Sequence, residues 1–471
     1  MSFSSSFALV VLFHNCDIHF LLHKSCFISN DKPFNNYILF MCSSTCGGHF
    51  SKGSSSIDTD DFDDATQFKD VPDTFLDVPP NSYPLVITFH NFLIMLDGTV
   101  GNSFFERFHE VRKHSHGKVL GGSVALQTFI RKKEVNYESF SSSYWPHFNT
   151  QLTKKLDSSR VFMEIISHIK GGPQAVEAGD GKLSREDYVS LSEGRVSSLN
   201  RQKREIIYEL FQNYEKMKIE NGDFDMADLV IDLHRRLRVE RYQGDEIDFV
   251  YVDEVQDLTL SQIALFKYIC KNVDEGFVFS GDTAQTIARG IDFRFQDIRS
   301  LFYNKFLLES KSCGHDKRKE KGIVSDIFHL SQNFRTHDGV LKLSHSVIEL
   351  IYHFFPQSVD VLQPETSLIY GEAPILLESG NNQNAIITIF GNSGIAGRSI
   401  VGFGAEQVIL VRDDCVQKEI TTAVGKHALV LTIVECKGLE FQVVIIHHYL
   451  FIVLVYVEVI IMRSFICLFV C

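Results

Sequence analysis

Tyr251-Val252-Asp253-Glu254-Val255-Gln256-Asp257 is an apolar strand that breaks abruptly into three carboxylates and a glutamine. In an open parallel sheet, ligands sit beyond the carboxyl ends of the strands, so a polar cluster at such a tip marks a catalytic position. One carboxylate there can hold Mg²⁺, often through water, and a neighbour can activate an attacking water. The same residues also fit the acidic first turn of a helix, where Asp and Glu meet the positive end of the dipole. Taken alone, the stretch leaves both readings open.

A second strand repeats the layout. Phe277-Val278-Phe279-Ser280 runs into Gly281-Asp282-Thr283-Ala284-Gln285-Thr286. Glycine lets the backbone turn sharply there, and Gln285 can reach a phosphate or its water. Around these tips strand and helix alternate from residue 247, which predicts a parallel sheet covered by helices. Phe249–Val252 and Phe277–Ser280 read as strands and Leu260–Cys270 as a helix, followed by a charged surface loop, Ser310–Gly322. The pattern restarts at Phe328–Ser331 with a helix carrying Val340, Leu343, Val347, Ile351 and Phe354 on one face, and Val408–Val411 and Leu429–Ile433 read as buried strands. Upstream, Leu85–Phe89 reads as a buried strand ending at His90. Between about 100 and 240 the spacing is helical, with Ile207, Leu210, Tyr214 and Met217 on one face and Leu229, Leu233 and Leu237 on another. Basic clusters at 131–133, 201–204 and 235–238 fit solvated helix faces as well as a nucleic-acid groove.

At 471 residues and 44% apolar composition, the chain predicts two or three globular domains. A net charge of −13 excludes a global attraction to nucleic acid, so any such binding needs a local basic groove. The ten cysteines, scattered from Cys16 to Cys471, fit reduced thiols in the nucleus or cytoplasm rather than a disulfide framework. Cys42, Cys46 and His49 have no second ligand pair at zinc spacing. The apolar run Phe7–Phe13 has no basic residue before it and does not read as a secretory signal. Residues 58–77 hold eight aspartates and read as a solvated acidic linker, with order expected after Pro79-Pro80. From Val443 to Cys471 the composition turns aliphatic, interrupted by Glu458 and Arg463. That length permits a membrane span, yet the run starts where a soluble lobe needs its next strand, so it reads as a tail foreign to the fold and not as an anchor.

The order of these short strings resembles that of UvrD-like superfamily 1 helicases. Asp253 to Asp257 is similar to the family's Walker B motif and Gly281 to Thr286 to its third motif. Ser331-Gln332-Asn333-Phe334-Arg335-Thr336 is similar to the fourth, and Thr432 through Cys436-Lys437-Gly438-Leu439-Glu440-Phe441 to the fifth. Thr88-Phe89-His90 resembles the strand-end motif that touches single-stranded nucleic acid, and 224–229 the stretch leading into Walker B. The resemblance spans roughly 85 to 442 and implies an α/β fold: two RecA-like parallel-sheet lobes of P-loop NTPase type, with a mainly helical insertion in the first. It implies ATP and Mg²⁺ as cofactors, with Asp253 on the metal and Glu254 as the base. Gln256, Gln285 and Arg335 then join the catalytic set, the last two at the γ-phosphate, while Asp282, Asn333, Gly438 and Glu440 contact the nucleotide. Thr88, Phe89, His90 and Thr432 fall at single-stranded nucleic acid, DNA in preference to RNA. No other small molecule and no membrane is implied as a partner.

Three departures stand out. No Gly-Lys-Ser or Gly-Lys-Thr occurs; the Gly-Lys pairs at Gly117, Gly181 and Gly425 are followed by Val, Leu and His. The sixth motif, expected after Phe441, is missing. Only Asp413–Ala428 separates the Val408 strand from the fifth motif, too little for the family's large helical subdomain. This shortened layout resembles the helicase-like region of large eukaryotic proteins that carry tetratricopeptide or ankyrin repeats, though no repeat is visible here. The expected organisation is a poorly ordered 1–80, a first lobe from 81–100 and 245–309, a helical insertion at 101–244, a charged loop at 310–325, a second lobe at 326–442 and the tail at 443–471. The expected function is a helicase or translocase core, incomplete and inactive as a separate chain. The alternative is a non-catalytic nucleic-acid or protein-binding scaffold on a degenerate helicase fold.

Overall fold

The computed structural model describes residues 8–12, 37–41, 72–108, 124–194, 199–273, 276–308, 324–356, 359–361, 363–378, 407–424, 429–437, 439, 441, 443–447 and 465–470. Described residues up to His329 form one compact unit, and those from Leu330 onward form a second.

The first unit is built on a six-stranded parallel sheet. Its strands are β1 (Ala8–Leu12), β2 (Tyr37–Met41), β3 (Leu85–Thr88), β4 (Phe249–Val252), β5 (Phe277–Phe279) and β6 (Val324–His329), in the order β3-β2-β4-β5-β1-β6. Two of them, β1 and β2, come from the segment expected to be poorly ordered, most of which lies outside the described residues. β1 pairs with both β5 and β6, and β2 with both β3 and β4. Each is a five-residue apolar run, the pattern of a parallel strand covered on both faces. Order also begins before Pro79: Phe75 is fully buried, its amide donates to Thr99 Oγ1 at 2.8 Å and its carbonyl accepts from the Asp245 amide at 2.6 Å. Residues 58–71 of the acidic stretch lie outside the described residues. β3 lies at the sheet edge and leaves Val86 exposed, so this strand is covered less completely than its apolar sequence suggests.

Between β3 and β4 the chain is helical. α1 (Phe89–Val100) is capped by Thr88, whose hydroxyl accepts from the Asn91 amide. α2 (Val124–Lys133) precedes α3 (Arg201–Asn221), which starts on an Asn200 cap and stops at Gly222 in the left-handed conformation, φ +63°. That glycine lets the last turn close on the carbonyls of Lys218 and Ile219. α4 (Met226–Val239) begins with a reciprocal Asp225–Asp228 capping box. Ile207, Leu210 and Tyr214 of α3 and Leu229, Leu233 and Leu237 of α4 are buried, as their spacing predicts. The expected helix after the β4 tip is two short pieces, Leu260–Ile263 and Phe266–Ile269.

The second unit holds β7 (Gln332–Asn333) paired with β8 (Thr366–Ser367), and the amphipathic α5 (Asp338–Phe354). Its larger sheet contains β9 (Ile375–Glu378), β10 (Gln407–Val411), β11 (Leu429–Thr432), β12 (Val443–His447) and β13 (Phe465–Val470), in the order β11-β10-β12-β13-β9. β10 is parallel to β11 and β12, while β13 runs antiparallel between β12 and β9. The tail expected to be foreign to the fold therefore supplies two strands of this sheet. An aliphatic run is what an interior strand requires. Glu458 and Arg463 lie outside the described residues. Among the described residues no helix is long and apolar enough to cross a membrane.

Candidate active site at the tips of β4 and β5

The two polar tips are fastened to each other through backbone and side chain. The Ser280 amide donates to Val252 O at 2.8 Å, and the Val255 amide to Ser280 O at 2.9 Å. Ser280 Oγ lies 2.9 Å from Asp253 Oδ1, which orients the first carboxylate. Glu254 then adopts φ +52° and ψ 38°, a left-handed conformation uncommon outside glycine, and the chain turns into a short 3₁₀ segment, Val255–Asp257.

That turn drives Gln256 inward, where it is completely buried. Its Nε2 donates to Glu254 Oε2 at 2.5 Å, and its Oε1 accepts from the Asp282 amide at 3.1 Å. Gly281 provides the space: a Cβ there would collide with Gln256 Oε1. Asp282, also buried, accepts from the Ala284 amide at 2.9 Å and from Gln285 Nε2 at 2.8 Å. Asp257 Oδ1 lies 3.3 Å from the amides of both Ile287 and Ala288. Asp253, Glu254 and Gln285 stay half-buried, so the buried Ser280, Gln256 and Asp282 hold in place, in that order, the three groups that solvent or a ligand can reach.

The remaining expected site residues are placed as follows. Thr88 caps α1, and Phe89 is buried, its ring 5.6 Å from Phe92 and 5.9 Å from Phe266. His90 is half-buried, and burial pushes its imidazole down to about 4, so it is neutral near pH 7. In the second unit Asn333 is buried, donates to Glu365 Oε2 at 2.7 Å, and accepts from the amides of Arg335 and Thr336 at 2.8 and 3.0 Å. This presents Arg335 at an exposed turn. Thr432 is buried at the end of β11, its Oγ1 accepting from the Glu435 amide at 3.2 Å. Gly438 and Glu440 lie outside the described residues. The first unit thus brings Asp253, Glu254, Gln256, Asp282 and Gln285 together; Asn333, Arg335 and Thr432 belong to the second.

Two features were not read from the sequence. Ser167 Oγ donates to Gly290 O at 2.5 Å and accepts from the Asp292 amide at 3.0 Å, while His168 Nε2 lies 3.1 Å from Asp292 Oδ2. The segment after Gln285 is thereby docked on the helical insertion. The second feature lies inside that insertion. Lys170 Nζ and Lys218 Nζ both contact Asp225, Asp228 and Glu215 within 3.3 Å. Burial opposes the charge on Asp225, and the two ammonium groups overcome it and hold the carboxyl below its ordinary range. Burial also opposes the charge on Lys170, which the three carboxylates hold well above its usual range. Among the described residues these three carboxylates form the one group spaced as metal ligands, and the ammonium groups already occupy them.

Residues 85–305 match the UvrD/REP helicase N-terminal domain family, and the resemblance carried by the motifs holds over that segment. Over 316 residues, 67% of this chain, the sequence is 35% identical to the human TPR and ankyrin repeat-containing protein 1, of which the match covers 10%. Over 150 residues, 31% of this chain, it is 32% identical to one of the subunits of an ATP-dependent helicase/nuclease from Syntrophomonas wolfei subsp. wolfei, covering 11% of that protein. The chain therefore spans about a tenth of the length of the curated relatives it matches.

Proposed function

We propose that the chain is the core of a UvrD-like ATP-dependent helicase or translocase, with two RecA-like lobes that act on single-stranded DNA. The observation that carries this reading is the Gln256 amide, which links Glu254 on one strand tip to Asp282 on the next and so fixes both relative to one another. The donor set suits a hard divalent ion, because the reachable side chains at the β4 tip are carboxylates. Asp253 would hold Mg²⁺, which would offset phosphate charge. Glu254 takes the proton of the attacking water, and Gln256 keeps its carboxylate aimed. Gln285, held by Asp282, orients the terminal phosphate or its water. In the second unit, Arg335 is the exposed cation available to a phosphate. Thr88 and His90 in the first unit, and separately Thr432 in the second, are the residues that would contact nucleic acid; Phe89 joins them only if its ring leaves the core.

With no Gly-Lys-Ser or Gly-Lys-Thr loop, the chain lacks the backbone cradle and lysine that supply most of the charge stabilisation in phosphoryl transfer. The isolated chain accordingly binds Mg²⁺–nucleotide weakly and does not turn it over. Titration with a fluorescent ATP analogue, with and without Mg²⁺, tests this together with an ATPase assay on oligodeoxythymidine. The expected result is Mg²⁺-dependent binding lost in Asp253→Asn, and no stimulated hydrolysis, so that Glu254→Gln changes no rate. Stimulated turnover abolished by Glu254→Gln would reveal another phosphate cradle. Oligonucleotide binding with no nucleotide binding at all would replace this reading with the non-catalytic scaffold, which the missing lysine loop favours.

A further inference from the structure

A small hollow, open to solvent, lies between the turn after Pro173–Glu177 and the outer face of α4. Its floor is the buried His234, with Nε2 2.8 Å from Ser261 O, and the buried Lys170. Its rim is Gly179, Gly181, Arg235 and Arg238. Lys170 is spoken for by Glu215, Asp225 and Asp228, so the positive charge offered to the hollow is that of Arg235 and Arg238, in a chain whose net charge is −13.

The turn is shaped to leave this space. The Gly181 amide closes on Ala178 O at 3.1 Å, and Gly181 sits at φ +77° with its Cα pressed on Ile231, where any side chain would collide. Gly179 faces open space. Arg235 reaches back to Asp180 O at 3.2 Å, a neutral carbonyl, and among the described residues it makes no ion pair. Among the described residues Arg238 makes no ion pair. Arg235 and Arg238 are three apart on one helix face, so both guanidinium forks can turn to one group. A fork of this kind matches the oxygens of a phosphate, and the hollow between the arginines and the 178–181 turn is open to solvent, where such a group can approach.

We propose that this pocket is a phosphate-binding site, and that its occupant is a backbone phosphate of a nucleic-acid strand lying along the outer face of α4. The nucleic-acid source rests on the helicase reading; the anion site does not. The test uses the full chain and Arg238→Ala, Arg235→Ala/Arg238→Ala and Arg238→Lys. Both arginines are exposed, and far-ultraviolet circular dichroism with a urea midpoint verifies that each variant is folded. Inorganic phosphate is titrated calorimetrically, and oligodeoxythymidine affinity is measured across a salt series. Each arginine removed is expected to weaken phosphate about tenfold. Each is also expected to lower the slope of log affinity against log salt by about one, while Arg238→Lys keeps the slope. Unchanged phosphate affinity in the folded double variant overturns the site. Weakened phosphate with an unchanged salt slope keeps the anion site and overturns the nucleic-acid source. If no variant or parent binds oligonucleotide, the helicase reading falls while the phosphate titration still decides the pocket.

Discussion

The side-chain amide of Gln256 occupies the space above Gly281 that a Cβ would need, so the β4 tip and the β5 turn are mutually shaped. Gly281→Ala must displace either the amide or the turn. Overpacking of this kind costs about 1–3 kcal/mol. Displacing the amide also releases Glu254, so the variant should lose Mg²⁺-dependent nucleotide binding along with stability. A urea midpoint equal to that of the parent would show that the tip is not rigidly interlocked.

The Asp225 cluster yields a prediction with a metal control. Asp225→Ala leaves the ammonium groups of Lys170 and Lys218 buried with fewer counter-charges, and breaking a buried ion pair from one side costs about 3–5 kcal/mol. Because ammonium groups already satisfy Glu215, Asp225 and Asp228, a chelator should leave the parent's melting temperature unchanged. A drop in melting temperature with chelator, restored by a divalent ion, would show that a metal and not lysine holds these carboxylates.

The strand tips were legible in the sequence because their signal is local: an apolar run, then carboxylates or Gly-Asp within a few residues. The sheet around them was less so. β1 and β2 are five-residue runs set among Ser, His and Cys, and their places beside β5 and β4 depend on pairing across more than two hundred residues. Lys170 reads as a surface lysine before a Gly-Gly turn, and its partners Glu215 and Asp225 lie 45 and 55 residues away. Phe75 was hidden by the aspartates around it, although its ring fills the core and its backbone binds Thr99 and Asp245. The pattern marks which residues carry chemistry; the non-local partners that bury or charge-balance a residue leave no mark near it.

Two groups tie stability to pH with opposite signs. Burial lowers His90 from 6.5 to about 4, so on acidification the unfolded chain takes up the proton first. The stability from keeping His90 neutral is full above pH 6.5 and is lost as pH falls toward 4. Glu134 is raised from 4.5 to about 7 by burial and then by Asp225, so the native chain holds that proton more tightly. Its contribution is full below pH 4.5 and is lost as pH rises toward 7. Both are half-buried, so each swing is on the order of 1–3 kcal/mol. Urea midpoints taken from acid to neutral pH should show His90→Gln removing the rise and Glu134→Gln removing the fall. Parallel profiles for parent and both variants would mean that neither group titrates out of step with the unfolded chain.

Removing β13 should harm the second unit and spare the first. Phe465–Val470 hydrogen-bonds along one edge to β12 and along the other to β9, so a chain ending before Phe465 leaves two strands with unpaired backbone groups. Exposed strand edges of aliphatic sequence template pairing with other copies, so the truncated chain should aggregate through residues 375–378 and 443–447. The tips of β4 and β5 lie in a different sheet and owe nothing to β13. Hydrogen exchange followed by mass spectrometry separates the effects. Faster exchange is expected at β9 and β12 with unchanged protection at β4 and β5, and a Phe469→Lys substitution, opposite Val444, should reproduce it in milder form. Full protection of β9 and β12 in the truncated chain would show that Phe465–Val470 contributes nothing to the fold of this sheet.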